Sequence, residues 1–305
     1  MRHASPAAHI DVSLVICTRD RCAQLVRCLE AIRRIEFEGS WELIIVDNGS
    51  HDRTKAVVQE FTDTASLPVI YVFEATSGLG NARNAGIRIA QGGILAFTDD
   101  DCYPAPGFLS CVSSAFHDPS LGYISGRLLL HDPKDARMSI KESTTPLTFA
   151  AGSFIGSGDV CGANMAFRRA ALEQIGGFDP LFGAGSLFSA EDLDAAGRAS
   201  AFGWKGRYCP EVVVSHHHGR RASDLPRLLK SYGIGAGAYH MKILLQEHQF
   251  SWFLRSIYQV RRRLRASVRS VLWEPIGAAM FAYMYLSQSL YRTCLNRLRV
   301  RPHAQ

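Results

Sequence analysis

The stretch ILAFTDDDC, Ile94 to Cys102, decides how this chain is read. An apolar, strand-like run empties directly into three consecutive carboxylates, Asp99, Asp100 and Asp101. So much like charge on adjacent residues is tolerable only where something cationic sits. A hard divalent ion such as Mg2+ or Mn2+, which takes oxygen ligands and keeps waters and substrate phosphates in its shell, meets that demand. A solvated loop or a helix cap is the plainer explanation. Position favours the ion, because open α/β sheets bind ligands beyond the carboxyl ends of their strands. If the extended conformation continues past the strand, Asp99 and Asp101 share one face.

Working outward, short apolar runs alternate with helical patterns. Ser13–Thr18, Glu42–Asn48, Val69–Glu74 and Ile94–Asp99 are β-branched and nearly continuous, as buried parallel strands are. Between them, Arg21–Arg34, Asp52–Phe61 and Asn81–Gln91 carry apolar residues at helical spacing. The order predicts a parallel sheet with helices on its faces. Beyond Asp101, Pro104 and Pro106 break the chain. A helix is expected over Phe108–Phe116 and a strand over Tyr123–His131. Residues 132–160 are polar and rich in Ser, Thr and Gly, the composition of a mobile loop over a site.

At 305 residues and 47% hydrophobic content, the chain can bury a sizeable core as one large domain with an appendage, or as two. Its eight cysteines, Cys17, Cys22, Cys28, Cys102, Cys111, Cys161, Cys209 and Cys294, form no CxxC pair and follow no secretory signal. They read as reduced thiols of a cytoplasmic chain, most of them small core residues. The first ten residues read as a disordered start. The net charge of +6 is unevenly spread. Residues 251–305 hold ten Arg, no Lys and one Glu, which leaves 24 basic and 27 acidic side chains for residues 1–250. A mildly acidic body with a strongly basic tail points to an anionic surface, nucleic acid or membrane, as the tail's partner.

The strand ends carry the candidate chemistry. Thr18 and Arg19 follow the first strand, and Asp47 and Asn48 end the second just before Gly49, Ser50 and Asp52. An acidic residue in such a place hydrogen-bonds a ribose or base, or else the segment caps a helix. The glycine-rich SGLGNARNAGI holds Arg83, either a planar clamp for a diphosphate or an ordinary surface arginine. That segment contains no GxGxxG and no GK[ST] loop, which argues against a dinucleotide or P-loop ATP site. Glu191 and Asp192 open a helix whose apolar face includes Leu193, Ala196 and Phe202. There they either complement the helix dipole or serve as a base kept ionised by the helix amides. His216 and His218 share one face at the end of a strand over Val212–Ser215, as metal ligands or phosphate contacts.

Taken in order, SLVICTRDR, ELIIVDNGSHDRT, GLGNARNAGI, FTDDDC, GDVCGANMAFRRAAL, GGFDPLFGAG, AEDLDAAGRASAFGW and PEVVVSHHHG resemble the inverting family 2 glycosyltransferases of GT-A fold, over residues 11–220. The resemblance implies an α/β domain with a mostly parallel nucleotide-binding sheet, a nucleotide-diphosphate sugar donor, and Mg2+ or Mn2+. It implies that Asp47 and Thr18, flanked by Arg19 and Asn48, hold the nucleotide, with Arg83 at the nucleotide or diphosphate. Asp99 would lie near the ribose, Asp101 would bind the metal directly, and His216 would complete the metal or diphosphate site. The intervening Asp100 leaves open which two of the three carboxylates matter. Asp192 of the Glu191–Asp192 pair would be the general base. Asn164, Arg168 and Arg169 would shape the acceptor side and the sugar pocket. A sugar-phosphate nucleotidyltransferase is the rival enzyme, but its GxGTR-like loop is missing from Ser13–Arg21. A non-catalytic scaffold is the rival without chemistry, against which stand the intact carboxylates.

The tail, residues 224–305 after a catalytic domain over 1–223, is expected to be helical. Leu225–Leu245 has a helical pattern around Gly233, Gly235 and Gly237, which mark a break or a close packing against the catalytic domain. Trp252–Leu272 interleaves Phe253, Leu254, Ile257, Tyr258 and Leu264 with Arg255, Arg261, Arg262, Arg263, Arg265 and Arg269, as interfacial helices do. Pro275–Tyr291 is apolar but at the lower length limit for a span. The expectation is a monotopic attachment to the cytoplasmic face of an anionic membrane, beside a lipid-linked or glycan acceptor. Neither zinc-ligand spacing nor an RNP-like aromatic strand accompanies the basic tail, so nucleic acid is not expected as a partner.

Overall fold

Nearly continuous apolar runs of this length, rich in β-branched residues, suit strands covered on both faces, and the sheet is built on them. The computed structural model describes residues 10–246, 251, 252, 254 and 271–299. Within Val12–Thr18 (β1), Val12, Leu14, Val15 and Ile16 are all buried, and burial contributes about 1.5–3 kcal/mol for each such side chain. Strand β1 pairs in parallel with Trp41–Asp47 (β2) on one side and Ile94–Asp99 (β4) on the other, and β2 pairs in parallel with Val69–Phe73 (β3). Helices Cys22–Ile32 (α1), Thr54–Thr62 (α2) and Leu79–Ile89 (α3) make the crossovers. Helix α3 lies unusually close to the sheet: a Cβ on Gly86 would stand 2.6 Å from a methyl of Val15.

The second half of the sheet departs from parallel order. Asn164–Arg168 (β8) runs antiparallel to β4 and to Leu121–Leu130 (β6), while β6 pairs in parallel with the long strand Lys205–His216 (β9). Two three-residue strands, Cys102–Pro104 (β5) and Leu147–Phe149 (β7), flank β9 in antiparallel sense. The order across the sheet is β3-β2-β1-β4-β8-β6-β9-β5, so the parallel expectation holds for the first half and the sheet as a whole is mixed. Phe108–Ala115 (α4), Arg169–Gln174 (α5) and Glu191–Ala201 (α6) complete this part.

Three details differ from expectation. Phe202 lies just past the end of α6 and is exposed, so the apolar face of that helix is Leu193, Ala195, Ala196 and Ala199 instead. Of the seven cysteines with described side chains, Cys28, Cys102 and Cys209 are fully buried and the other four only partly; all seven are free thiols. Arg168 and Arg169 sit at the far end of β8, where the ladder pairs Arg168 with Ile94. Arg168 donates to the carbonyls of Phe116, Asp118 and Leu121, and Arg169 to those of Ala90 and Gly92. They satisfy open carbonyls just after α4 and α3 and at the start of β6, at the end of the sheet opposite the carboxylates, and so do not shape a sugar pocket.

The chain divides into two compact units, Met1–Leu225 and Pro226–Gln305. The second contains nearly all of Leu225–Leu245 (α7), and Glu274–Arg299 (α8). Helix α7 runs without a break through Gly233, Gly235 and Gly237. The reason is contact: a Cβ on Gly237 would meet the Glu274 carbonyl oxygen at 1.9 Å, and one on Gly277 the Ile234 carbonyl oxygen at 1.9 Å. The two helices therefore cross backbone to backbone. Among the described residues no helix is long and apolar enough to cross a membrane. The interfacial pattern over Trp252–Leu272 lies almost wholly outside the described residues.

Candidate active site

Strand β4 ends at Asp99 and the chain turns at once, through Asp100 and Asp101, into β5. The extended conformation therefore does not persist. Turning brings the carboxylates to different partners. Thr18 Oγ1, at the end of β1, donates to Asp100 Oδ2 at 2.7 Å. Arg21, at the start of α1, pairs with both Asp100 (3.0 Å) and Asp101 (2.5 Å). From β9, His216 brings Nε2 to 3.4 Å from Asp101 Oδ1. Asp99, Asp101, Cys102 and His216 each contribute one ligand-type atom to a cluster in which all lie within 4.8 Å of one another. Two carboxylates and an imidazole fit a divalent cation. Burial works against ionisation of Asp101, yet His216 and Arg21 outweigh it and hold that carboxyl down at about 2. Burial wins at Asp100, which is pushed up to about 7.

The second half of the site is at the N-terminus of α6. Ala190, just before the helix, adopts φ +83, a left-handed conformation that residues with a β carbon rarely occupy. Such strain is found where a chain must aim functional groups. Here it delivers Glu191 and Asp192 to opposite uses. Glu191 Oε1 accepts from Arg83 Nη1 at 2.7 Å. Arg83 is 2% exposed, not a surface arginine. Its other terminal nitrogen donates to the Gly162 carbonyl and lies 3.6 Å from Asp99, so one buried cation ties the two acidic clusters together. Asp192 has no cationic partner within 4 Å among the described residues; its oxygens accept from the backbone N–H groups of Gly162 and Leu193 at 2.8 Å each. Burial and then repulsion from Glu191 push its carboxyl up to about 7. The amides lower it less than these raise it, so Asp192 is poised at neutrality rather than held firmly ionised.

A cleft of about 410 Å3 opens at the ends of β1, β2 and β3, lined by Arg19, Asn48, Phe73 and Ser77 among others. Arg19 reaches across it to Ser77 Oγ. Asp47 is buried below, accepting from Ser50 N–H (2.7 Å) and the Tyr71 hydroxyl (2.8 Å). Asn48 is a brace: its amide donates to the carbonyls of Glu74 and Thr76 and accepts from Gly78 N–H. Asn164 is likewise turned into the sheet, donating to the carbonyls of Arg127 and Val212. His218 diverges from His216 toward Ala136 and Asp135 and does not join the cation cluster. Four residues escaped the sequence reading. Arg21, Gly162 and Phe73 have no spacing signal, and Cys102, read as core, has its sulfur 3.8 Å from Asp101 Oδ1 as well.

The family model described as Glycosyl transferase family 2 matches residues 13–176, just over half of the chain. Glycosyltransferase AglE of Haloferax volcanii is 26% identical over 92% of this chain and 86% of its own length. The pre-mycofactocin glycosyltransferase of Mycobacterium tuberculosis is 24% identical over 89% of this chain, which spans 58% of that protein. Among solved structures, the mannosyltransferase PcManGT from Pyrobaculum calidifontis, in complex with GDP-Man and Mn2+, superposes with a TM-score of 0.64 at 20% identity, covering 95% of this chain and 81% of that one. TarS 1-349 of S. aureus, in complex with UDP-GlcNAc, gives 0.58 at 16% identity over 81% and 72%. The fold is that of the GT-A enzymes, and the chain belongs to glycosyl transferase family 2 as a glycosyltransferase.

Proposed function

We propose that the enzyme moves a sugar from a nucleoside-diphosphate donor to an acceptor hydroxyl in one inverting displacement that depends on a divalent cation. The observation that carries this reading is the division of labour between two acidic clusters joined by Arg83. One cluster gathers carboxylates and an imidazole within 4.8 Å, a donor set that suits a divalent cation; the other sets Asp192, poised near neutrality, on two backbone amides. Asp101, Asp99 and His216 would hold Mg2+ or Mn2+, which when bound stabilises the negative charge growing on the departing diphosphate. Arg83 acts from behind, fixing Glu191 and Asp99 at the same moment. Asp192 takes the acceptor proton on an oxygen whose position two backbone amides set, and the hydroxyl attacks the face of the sugar opposite the leaving group. Thr18 and Asp47 border the nucleotide, and exposed Phe73 offers a flat surface on which a base can stack. PcManGT and TarS, bound to GDP-Man and UDP-GlcNAc, support a donor of this class. A panel of nucleoside-diphosphate sugars should raise the melting temperature only with Mn2+ or Mg2+ present, and one should be slowly hydrolysed. If no donor stabilises the protein with either metal, the reading fails.

The second unit is read as an attachment to the cytoplasmic face of an anionic membrane, with a lipid-linked or polysaccharide-type acceptor. Helix α8 buries Gly277 and Phe281, whereas Ile276, Met280, Tyr283 and Leu286 are exposed at helical spacing on its other side. An apolar stripe in a tail with ten arginines matches a lipid interface carrying acidic headgroups. A chain ending near Ser251 should lose binding to anionic liposomes and activity on a lipid-linked acceptor while still hydrolysing donor. Equal liposome binding by both forms would reject the attachment.

A further inference from the structure

Between β6 and the end of β9 lies a set of contacts that the transfer chemistry does not use. The loop after β6 and the segment after β9 are stitched together from both sides. Asp135, whose side chain is fully buried, accepts from Gly219 N–H at 2.9 Å and pairs with Arg221 at 2.9 Å. Ala136 N–H donates to the Arg220 carbonyl at 2.8 Å. His218 Nδ1 accepts from Arg220 N–H at 3.0 Å, so its Nε2 carries the proton and donates to the Ala136 carbonyl at 2.9 Å. The tautomer of His218 is thereby fixed. Its ring stands edge-on to that of His216, with centroids 5.1 Å apart.

Three residues farther along the same loop, Ser139 adopts φ +54 and lies with its carbonyl 3.4 Å from His216 Nδ1. A carbonyl only accepts, so this contact asks Nδ1 to keep its proton and leaves Nε2 facing Asp101 and the cation cluster. Metal-binding histidines commonly have their second nitrogen held in this way, and the holder sets both tautomer and ring orientation.

We propose that Asp135, Arg221 and His218 form a latch that holds the loop, and with it the Ser139 carbonyl, against His216, so that they are positioning residues for metal capture. The inference rests on the reading of His216 as a ligand. The latch joins the segments that leave the neighbouring parallel strands β6 and β9 at the sheet's cation end, which gives a fully buried carboxylate a role in a loop otherwise polar and exposed.

The test is the affinity of the metal-stripped full chain for Mn2+, followed by electron paramagnetic resonance of the free ion without donor, with melting temperatures recorded in parallel. His216→Ala should weaken binding. Asp135→Asn and Arg221→Met should each weaken it by about 10–100-fold. Combined with His216→Ala, neither should weaken it further, because a residue that acts through His216 has nothing left to position. Arg221 is half exposed, so Arg221→Met keeps the test available if Asp135→Asn does not fold. A normal Mn2+ affinity in His216→Ala would remove the ligand reading itself. If His216→Ala binds weakly while the latch variants only lower the melting temperature, or add their effect to that of His216→Ala, the latch is structural and the proposal is overturned.

Discussion

The two acidic runs of this enzyme, Asp99–Asp101 and Glu191 to Asp194, look alike in sequence and differ in what faces them. In the first, Arg83, Arg21 and His216 stand within 4 Å of the carboxylates. In the second, Glu191 takes Arg83 and Asp194 takes Arg198 at 2.8 Å, while Asp192 bonds, among the described residues, to backbone amides. A cation partner does not by itself keep a buried carboxylate charged, since burial pushes Asp100 beside Arg21 up to about 7, as it does Asp192. What differs is the donor set, carboxylates with an imidazole in the first run and one carboxylate on two amides in the second. On the proposed reading, that difference, rather than the number of acidic residues, separates a cation site from a base.

The sharpest way to break the comparison is Asp192→Asn, which keeps the size but cannot take a proton. Transfer should fall by about 10²–10⁴ while donor binding survives. Single-turnover transfer within tenfold of the unaltered enzyme would place the base elsewhere. Next, Asp101→Asn should weaken metal-dependent donor binding by more than the roughly 10–100-fold typical of groups behind a ligand, and His216→Ala should weaken it less. Unchanged Mn2+ titration of donor binding in Asp101→Asn and Asp99→Asn would move the metal.

A smaller effect tests the joint between the runs. A Cβ on Gly162 would lie 2.8 Å from one Arg83 nitrogen and 3.2 Å from Glu191 Oε1. Gly162→Ala should therefore cost about 1–3 kcal/mol, read as a lowered melting temperature, because the neighbours are buried and paired. An unchanged melting temperature would show that the joint has slack. The mildest probe is pH. With Asp192 at about 7, the rate of transfer at saturating donor should climb roughly tenfold per pH unit below neutrality and level off above it. Ionisation of the base increases with pH, which sets the sign. A rate that is flat from pH 5 to 8 would contradict a base at that value.

Much of the fold was legible because burial on both faces leaves a strand few choices. Ile94–Asp99 and Leu225–Leu245 match the expected bounds, since β-branched runs and helical periodicity are local signals. The site was legible only as an inventory. Asp99, Asp101, Glu191, Asp192 and His216 are near their expected places, but Asn48, Asn164, Arg168 and Arg169 have polar side chains bonded to nearby backbone. Sequence cannot distinguish a polar group aimed at a ligand from one satisfying a carbonyl. Arg83 and Arg21 show the same limit from the other side: their roles depend on carboxylates 108 and 80 positions away.

By itself the sequence determined the alternation of strands and helices, the placing of acidic groups at strand and helix ends, and a tail of opposite charge. Those follow from side-chain pattern and composition. Only the tertiary structure decided that the chain turns at Asp100, that Arg83 is buried between two acidic clusters, and that Asp192 rests on two backbone amides with no cation within 4 Å among the described residues. A carboxylate's proton affinity is set by solvent and charge within a few ångströms, and those neighbours come from segments that only folding brings together.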